Sequence, residues 1–118
     1  MIELILKNYI DNNLDYPAYM EIPASPPDIF FVIEKVSGSR DDFIYSATVA
    51  IQTFAPSLYQ AAKVSQEMID DILDGLTGCP EVAGVSLNSS YNYPNTSTKR
   101  YRYQALFEVF YYGGNENG

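Results

Sequence analysis

The chain has 118 residues, a hydrophobic fraction of 47% and seven basic against fifteen acidic residues, for a net charge of −8. The length and hydrophobicity indicate one domain with a core of its own. The negative charge argues against a general nucleic-acid binder, since neutralising phosphates requires a positive surface. The chain lacks histidine, which removes the commonest general base and metal ligand, and its single cysteine, Cys79, excludes an intrachain disulfide.

No membrane span or export signal is visible in the sequence. No apolar run reaches the roughly 18–20 residues that a spanning helix needs. The N-terminal residues Met1–Leu4 show no basic region followed by a long apolar stretch. The lone thiol of Cys79 is typical of a reducing compartment. We therefore expect no membrane partner.

The first half of the chain reads as a helix, a short extended segment and a hairpin. Residues 29–36 are apolar on both sides at their start and predict a strand covered on both faces. We predict a turn at Ser37–Asp42, rich in residues that favour turns, and an alternating strand over residues 43–52. Residues 16–22 predict a short edge segment, and residues 23–27 a proline-rich connection. The N-terminal helix, expected to end near residues 12–13, presents one apolar stripe: Ile2, Ile5, Leu6, Tyr9 and Ile10.

The second half predicts another helix and a second pair of strands. The helix begins at residues 55–57, with Pro56 in its first turn, and stops near Gly75. A moderate strand follows at residues 82–87, with a possible continuation to residue 93, and a polar loop covers residues 91–97. The predicted apolar stripe of this helix consists of Leu58, Ala61, Ala62, Ile69, Ile72, Leu73 and Leu76, with Ser65 as its weak position.

The stretch from residue 98 to residue 112 alternates with period two and predicts the longest strand. Its packing side, expected to be core, carries Tyr101, Tyr103, Ala105, Phe107, Val109 and Tyr111. Arg100 and Arg102 are then expected on the opposite surface. Residues 113–118 have nothing to bury and are expected to be disordered.

These elements predict a single α+β domain over residues 1–112. The expected architecture is an antiparallel β-sheet packed on one face by two helices. The order of the strands in the sheet does not follow from the sequence.

Catalysis finds little support among these residues. Asp41 and Asp42 are adjacent carboxylates in a turn, for which solvation is the simpler interpretation. The acids of the second helix match no calcium-loop pattern. Cys79 has no second thiol or histidine beside it. We expect no enzyme activity, no metal site and no cofactor.

A basic cluster stands out against the acidic background. Lys99, Arg100 and Arg102 alternate with tyrosines, a pattern that can bind single-stranded nucleic acid. Because bases and tyrosines fall on opposite strand faces, contact between subunits is favoured over nucleic acid, with charge complementarity setting the partner. The hypothesised interface residues are Arg40, Asp41, Asp42, Lys99, Arg100 and Arg102, with the acids of the second helix as further partners for the arginines.

In their order and spacing, several stretches resemble the small tail-completion proteins of long-tailed bacteriophages, also called tail terminators or tail-to-head joining proteins. The similarity covers nearly the whole chain except its Gly/Asn tail. The stretches that carry it are Tyr19–Pro23, Pro26–Pro27, Phe31–Glu34, Ser46–Gln52, Ser57–Ala62 and Thr98–Ala105.

The resemblance implies a structural virion protein without a cofactor. Such proteins have an α+β fold and form a six-membered ring at the head-proximal end of the tail tube. The implied partners are further copies of the chain, the tail tube protein and the head–tail connector protein. The implied location is the virion tail, after assembly in the host cytoplasm.

Two other interpretations remain open. A small α+β ligand-binding or regulatory domain would need a pocket with convergent polar groups, and the sequence shows none clearly. A divergent hydrolase is hard to sustain without histidine.

Overall fold

Two helices and five strands make up the part of the chain that a computed structural model describes, which is residues 1–41, 43–93 and 100–112. The predicted α+β class and the order of elements are confirmed. The predicted tail, residues 113–118, lies outside the described residues. The elements are α1 (Ile2–Asn13), β1 (Ala18–Tyr19), β2 (Phe30–Asp41), β3 (Ile44–Ala55), α2 (Leu58–Gly75), a 3₁₀ turn (Leu76–Gly78), β4 (Val82–Asn92) and β5 (Tyr101–Tyr112).

The strands form one sheet in the order β1-β2-β3-β5-β4. The four long strands pair antiparallel, as predicted, whereas the two-residue β1 lies parallel to β2 at the edge. Pro17 directly precedes β1, and its carbonyl oxygen accepts a hydrogen bond from the Phe31 backbone N–H at 2.9 Å. Proline therefore stands at a sheet edge, where its missing donor is tolerated.

Both helices pack on one face of the sheet and enclose the main core. Helix α1 buries Ile2, Leu6 and Ile10, the centre of its predicted stripe. Among the described residues, no helix is both long and apolar enough to cross a membrane. The sheet contributes Phe31, Ile33, Ala47, Val49, Ile51, Val82, Ala105, Phe107, Val109 and Tyr111 to this core.

Helix α2 is shifted relative to its prediction. Ser57 is its N-cap, and the Ser57 hydroxyl accepts a hydrogen bond from the Gln60 backbone N–H at 3.2 Å. Pro56 therefore lies before the helix rather than in its first turn. The predicted stripe was wrong at Leu58 and Leu73, which are exposed, because the helix turns Val64 and Met68 toward the sheet instead.

The predicted turn at Ser37–Asp42 was wrong for residues 37–41, which continue β2. These residues pair with β3 from Ser37↔Thr48 to Asp41↔Ile44. The Ser39 and Ser46 hydroxyl oxygens lie 2.7 Å apart across the two strands. Residues that favour turns are thus held in a strand by the partner ladder. Asp42 lies outside the described residues.

Strand β4 extends beyond the predicted residues 82–87 and runs to Asn92, within the continuation to residue 93 that the sequence left open. Tyr91 and Asn92, which were assigned to the polar loop, pair with Gln104 and Tyr103 of β5. The rest of that predicted loop, beyond residue 93, lies outside the described residues.

One polar contact joins the two helices. The Tyr9 hydroxyl donates to Asp71 Oδ1 at 2.5 Å, beside the end of α2. Burial, followed by the hydrogen bond to Asp71, raises the pKa of Tyr9. A Cβ at Gly75 would collide with the Tyr9 hydroxyl oxygen, so a larger residue at this position would have to displace the Tyr9 side chain.

Candidate interaction surfaces

The face of the sheet opposite the helices, which we call the open face, has a small core of its own. Phe30, Val32 and Phe54 are buried there, with Tyr19 packed against them. The prediction that the start of β2 is covered on both sides is confirmed. The described elements place no helix on this face, so other side chains must cover these residues.

Arginine and aromatic side chains supply part of that cover. The Phe30 and Phe54 rings stack at 4.7 Å between centroids with an interplanar angle of 1°. Arg100 Cζ lies 5.5 Å from the Phe30 centroid, and Arg102 Cζ lies 5.5 Å from the Phe54 centroid. Arg102 Cζ is also 4.1 Å from the Tyr93 centroid. We call Phe30, Phe54, Tyr93, Arg100 and Arg102 the arginine–aromatic ladder.

Backbone acceptors fix both guanidinium groups of the ladder. Arg100 Nη1 donates to the Asp28 carbonyl oxygen at 2.9 Å, and Arg102 Nε donates to the Tyr93 carbonyl oxygen at 3.0 Å. A planar guanidinium can stack on a ring and donate at its edge at the same time, which an ammonium group cannot do. The two arginine side chains therefore lie along the open face, where each guanidinium group contacts an aromatic ring and a backbone carbonyl.

A chain of side-chain hydrogen bonds continues from the ladder across the open face. Arg102 Nη1 donates to Gln52 Oε1 at 3.4 Å, and Gln52 Nε2 donates to Gln104 Oε1 at 2.9 Å. Gln104 Nε2 then donates to the Tyr91 hydroxyl oxygen at 2.6 Å. Both glutamines are buried, and this chain gives their amides hydrogen-bond partners.

The predicted division of β5 into tyrosine core and arginine surface is only partly correct. Ala105, Phe107, Val109 and Tyr111 are buried as predicted, but Tyr101 is 48% exposed. The helix-side core begins on β5 at Ala105, so Tyr101 lies beyond it. Arg100 and Arg102 do lie on the opposite face, where they are half-buried rather than extended into solvent.

The other end of the open face carries an apolar groove, defined by Phe43, Ile44, Phe110 and Tyr112. Phe43 is 76% exposed, Tyr112 is 52% exposed, and Ile44 and Phe110 are each 41% exposed. The groove has a volume of about 670 Å³ and is also lined by Asp41. Contiguous apolar surface of this kind is characteristic of protein contact sites.

The structure separates the predicted interface residues into two groups. Arg40 and Asp41 lie at the groove end of β2, and Arg40 Cζ is 5.6 Å from the Tyr45 centroid. Arg100 and Arg102 lie at the ladder end, about ten strand residues or roughly 33 Å away. The two groups cannot meet within one copy of the chain. Asp42 and Lys99 lie outside the described residues.

A small crevice lies between the end of α1 and helix α2. Its volume is about 240 Å³, and Asp15, Glu67 and Asp71 line it together with Tyr16. No group of three or more acidic or cysteine side chains in the described ranges is arranged to hold a metal ion. The thiol of Cys79 is half-buried, and burial raises its pKa, which disfavours the reactive thiolate.

Comparison with known proteins adds no family to this description. Neither a scan against protein-family models nor a search of curated proteins finds a match to this chain.

Sequence reasoning missed the groove and the aromatic partners of the arginines. Phe110 and Tyr112 occupy the same strand face as Arg102, so the period-two pattern did place them together. Phe43 stood at the start of a predicted strand, where nothing in the pattern marks exposure. The stacking of Arg102 on Tyr93 needs the β4–β5 pairing, which no local pattern gives.

Proposed function

We propose that this chain is a structural virion protein that caps a bacteriophage tail tube as a homo-oligomeric ring, a hexamer by resemblance. In this role it joins the tail to the head connector protein and has no catalytic activity. The proposal rests on the resemblance in motif order together with the surface chemistry of the fold.

The observation that carries the proposal is the pair of unlike surfaces at the two ends of the open face. The arginine–aromatic ladder lies at one end and the apolar groove at the other. A ring that joins a tail tube to a head connector needs a different surface toward each of these two partners, and complementary chemistry selects the partner at each end. The ring itself also needs a contact between neighbouring copies, made by two different patches on each subunit.

The chemistry of the described residues favours assembly over catalysis. The basic side chains with described roles on the open face are held by aromatic rings and backbone carbonyls rather than directed at a cavity. The tyrosines at the groove and along β4 are amphipathic, and such residues are enriched at protein interfaces.

Deletion of the gene in a phage or prophage that encodes it tests the proposal. Induced particles would be examined by negative-stain electron microscopy, with a complementing copy of the gene as control. We expect filled heads beside detached, abnormally long tails. Tails of normal length that fail to attach would restrict the function to joining. Intact infectious virions would contradict the proposal.

The alternative function, binding of a small ligand, has the crevice between α1 and α2 as its site. At about 240 Å³ the crevice falls below the roughly 300–1,000 Å³ of most ligand pockets. A thermal-shift screen of small molecules tests this alternative, since a ligand that binds only the folded state raises Tm. A hit whose shift is abolished by Asp71→Asn would favour ligand binding.

A further inference from the structure

We propose that neighbouring copies in the ring join through their sheet edges, with the outer edge of β4 in one copy pairing with the outer edge of β2 in the next. The inference rests on the proposed ring function, because that function supplies the closed symmetry. It names the surface that holds the subunits together.

Strand β4 is an edge strand whose side chains offer none of the usual protection against pairing. It is the last strand of the sheet, and its eleven residues include no charged residue and no proline. Exposed edges normally carry lysine, proline or a covering element, because their unpaired N–H and C=O groups attract another strand. Register irregularities at Val82/Gly84 and Leu87/Ser89 divide it into two regular stretches, Gly84–Leu87 and Ser89–Asn92.

Strand β2 offers a second open edge on the other side of the sheet. Strand β1 pairs only with Phe31 and Val32, so the described elements leave the outer edge of β2 uncovered from Ile33 onward. After an irregularity between Lys35 and Ser37, the strand pairs regularly with β3 up to Asp41. The regular part begins with Ser37, Gly38 and Ser39, which are small and uncharged.

The two open edges lie at the same height on the sheet. Ser37 pairs with Thr48, Thr48 with Glu108, and Glu108 with Ser86. Directly opposed residues in an antiparallel ladder share a face, so Ser37 and Ser86 end one row across the open face. The neighbouring rows end at Gly38 and Val85 and at Ser39 and Gly84.

These positions satisfy the geometry of a ring. Strands β2 and β4 run antiparallel, and a rotation axis parallel to the strands preserves strand direction. The β4 edge of one copy therefore meets the β2 edge of the next in antiparallel orientation, with Ser86 opposite Ser37 of its neighbour. Because the two edges differ, the contact is heterologous and can close into a ring.

Cysteine cross-linking tests the pairing directly. The double variant Ser37→Cys with Ser86→Cys, in a Cys79→Ala background, would be oxidised as purified protein and in assembled particles. Within one copy the two positions are three strand spacings, about 14 Å, apart. A disulfide needs Cα atoms about 4.4–6.8 Å apart, so only neighbouring copies can be linked.

Single variants and a displaced pair serve as matched controls. Ser37→Cys alone and Ser86→Cys alone should stay monomeric on a non-reducing gel. The pair Ser37→Cys with Ser90→Cys should cross-link far less, because Ser90 lies level with Ile33 rather than Ser37. Equal Tm values for all variants would establish that the comparison involves folded protein.

A ladder of cross-linked species that ends at the closed ring, six copies under the proposed function, is the expected result. Dimers from Ser86→Cys alone would overturn the inference in favour of β4–β4 pairing. Rings seen by electron microscopy without cross-links would overturn it and leave the proposed function standing. Normal virions after gene deletion would instead remove the proposed function itself.

Discussion

The two faces of this sheet bury aromatic side chains by different means. On the helix side, Phe107 packs in a core closed by α1 and α2. On the open face, Phe54 is buried to the same extent, but its described neighbours include a stacked phenylalanine ring and the guanidinium of Arg102. The comparison shows that relative exposure alone does not reveal what holds a side chain in place.

The difference lies in how readily each environment can rearrange. A core between a sheet and two helices has a fixed shape, and removing a side chain from it leaves a cavity. A cover of arginine side chains rests on long, flexible stems, and these can follow a change beneath them. The first two predictions below separate the two cases, and two smaller ones test the contact between the helices on the covered face.

Truncating one phenylalanine on each face should have the largest effect and an unequal one. Phe107→Ala is expected to lower the free energy of unfolding by about 3–5 kcal/mol, since a rigid core keeps the cavity. Phe54→Ala should cost less, because Arg102 and Tyr93 can move into the space. Urea denaturation followed by circular dichroism measures both, and an equal loss would show that the open face is as rigid as the core.

Removing the arginine cover should have a smaller effect. Arg102→Ala is expected to lower stability by about 1–2 kcal/mol, through loss of two ring contacts and the bond to the Tyr93 carbonyl. Arg102→Lys should recover little of this, because an ammonium group cannot stack as a plane.

Lys63→Ala is the matched control for the lost charge. Lys63 forms an exposed ion pair with Glu67 at 4.0 Å, so we expect a change below about 0.5 kcal/mol. If Arg102→Lys retained full stability, charge rather than stacking would account for the ladder.

Replacing Gly75 by alanine, at the contact between the two helices, should change stability in the direction opposite to the one that helix propensity predicts. Gly75→Ala within a helix normally stabilises by about 0.5–1 kcal/mol. Here it should destabilise, because the new methyl group collides with the Tyr9 hydroxyl. In a Tyr9→Phe background the nearest ring atom is Cζ at 3.3 Å, so most of the collision is relieved and Gly75→Ala should cost much less. Thermal melts of the four-member cycle measure the coupling, and additive effects would contradict the predicted contact.

The smallest expected effect is a loss of stability at alkaline pH. Because the pKa of Tyr9 is raised in the folded chain, folding favours its protonated form. This contribution is present below the unfolded tyrosine pKa of about 10 and is lost as pH rises above it. Tyr9→Phe should flatten the decline above about pH 10. An unchanged slope would show that the hydroxyl titrates alike in both states.

The sequence predicted the helix-covered face better than the open face. Period-two alternation placed Ala105, Phe107 and Val109 in the core, because burial on one side is a local property of a strand. The α+β class and the chain order of elements followed from the same patterns. Sheet order and register are long-range properties, so the alignment of Phe54 with Arg102 could not be predicted.

The errors on the open face have a common physical origin. Ser37–Asp41 were assigned to a turn because their residue types favour one, but pairing with β3 overrides that preference. Arg100 and Arg102 were expected on the surface, yet both are half-buried, each beside an aromatic ring that local sequence does not place nearby. Tertiary neighbours decided both positions.

The hydrogen-bond chain from Arg102 to Tyr91 has a direction. Each member donates to the next one away from the guanidinium, from Arg102 on β5 to Gln52 on β3, back to Gln104 on β5 and on to Tyr91 on β4. Hydrogen bonds in such a chain polarise one another and strengthen the terminal bond. Polarisation that begins at the guanidinium of Arg102 is thereby passed through both glutamines to the Tyr91 phenol on the adjacent strand β4.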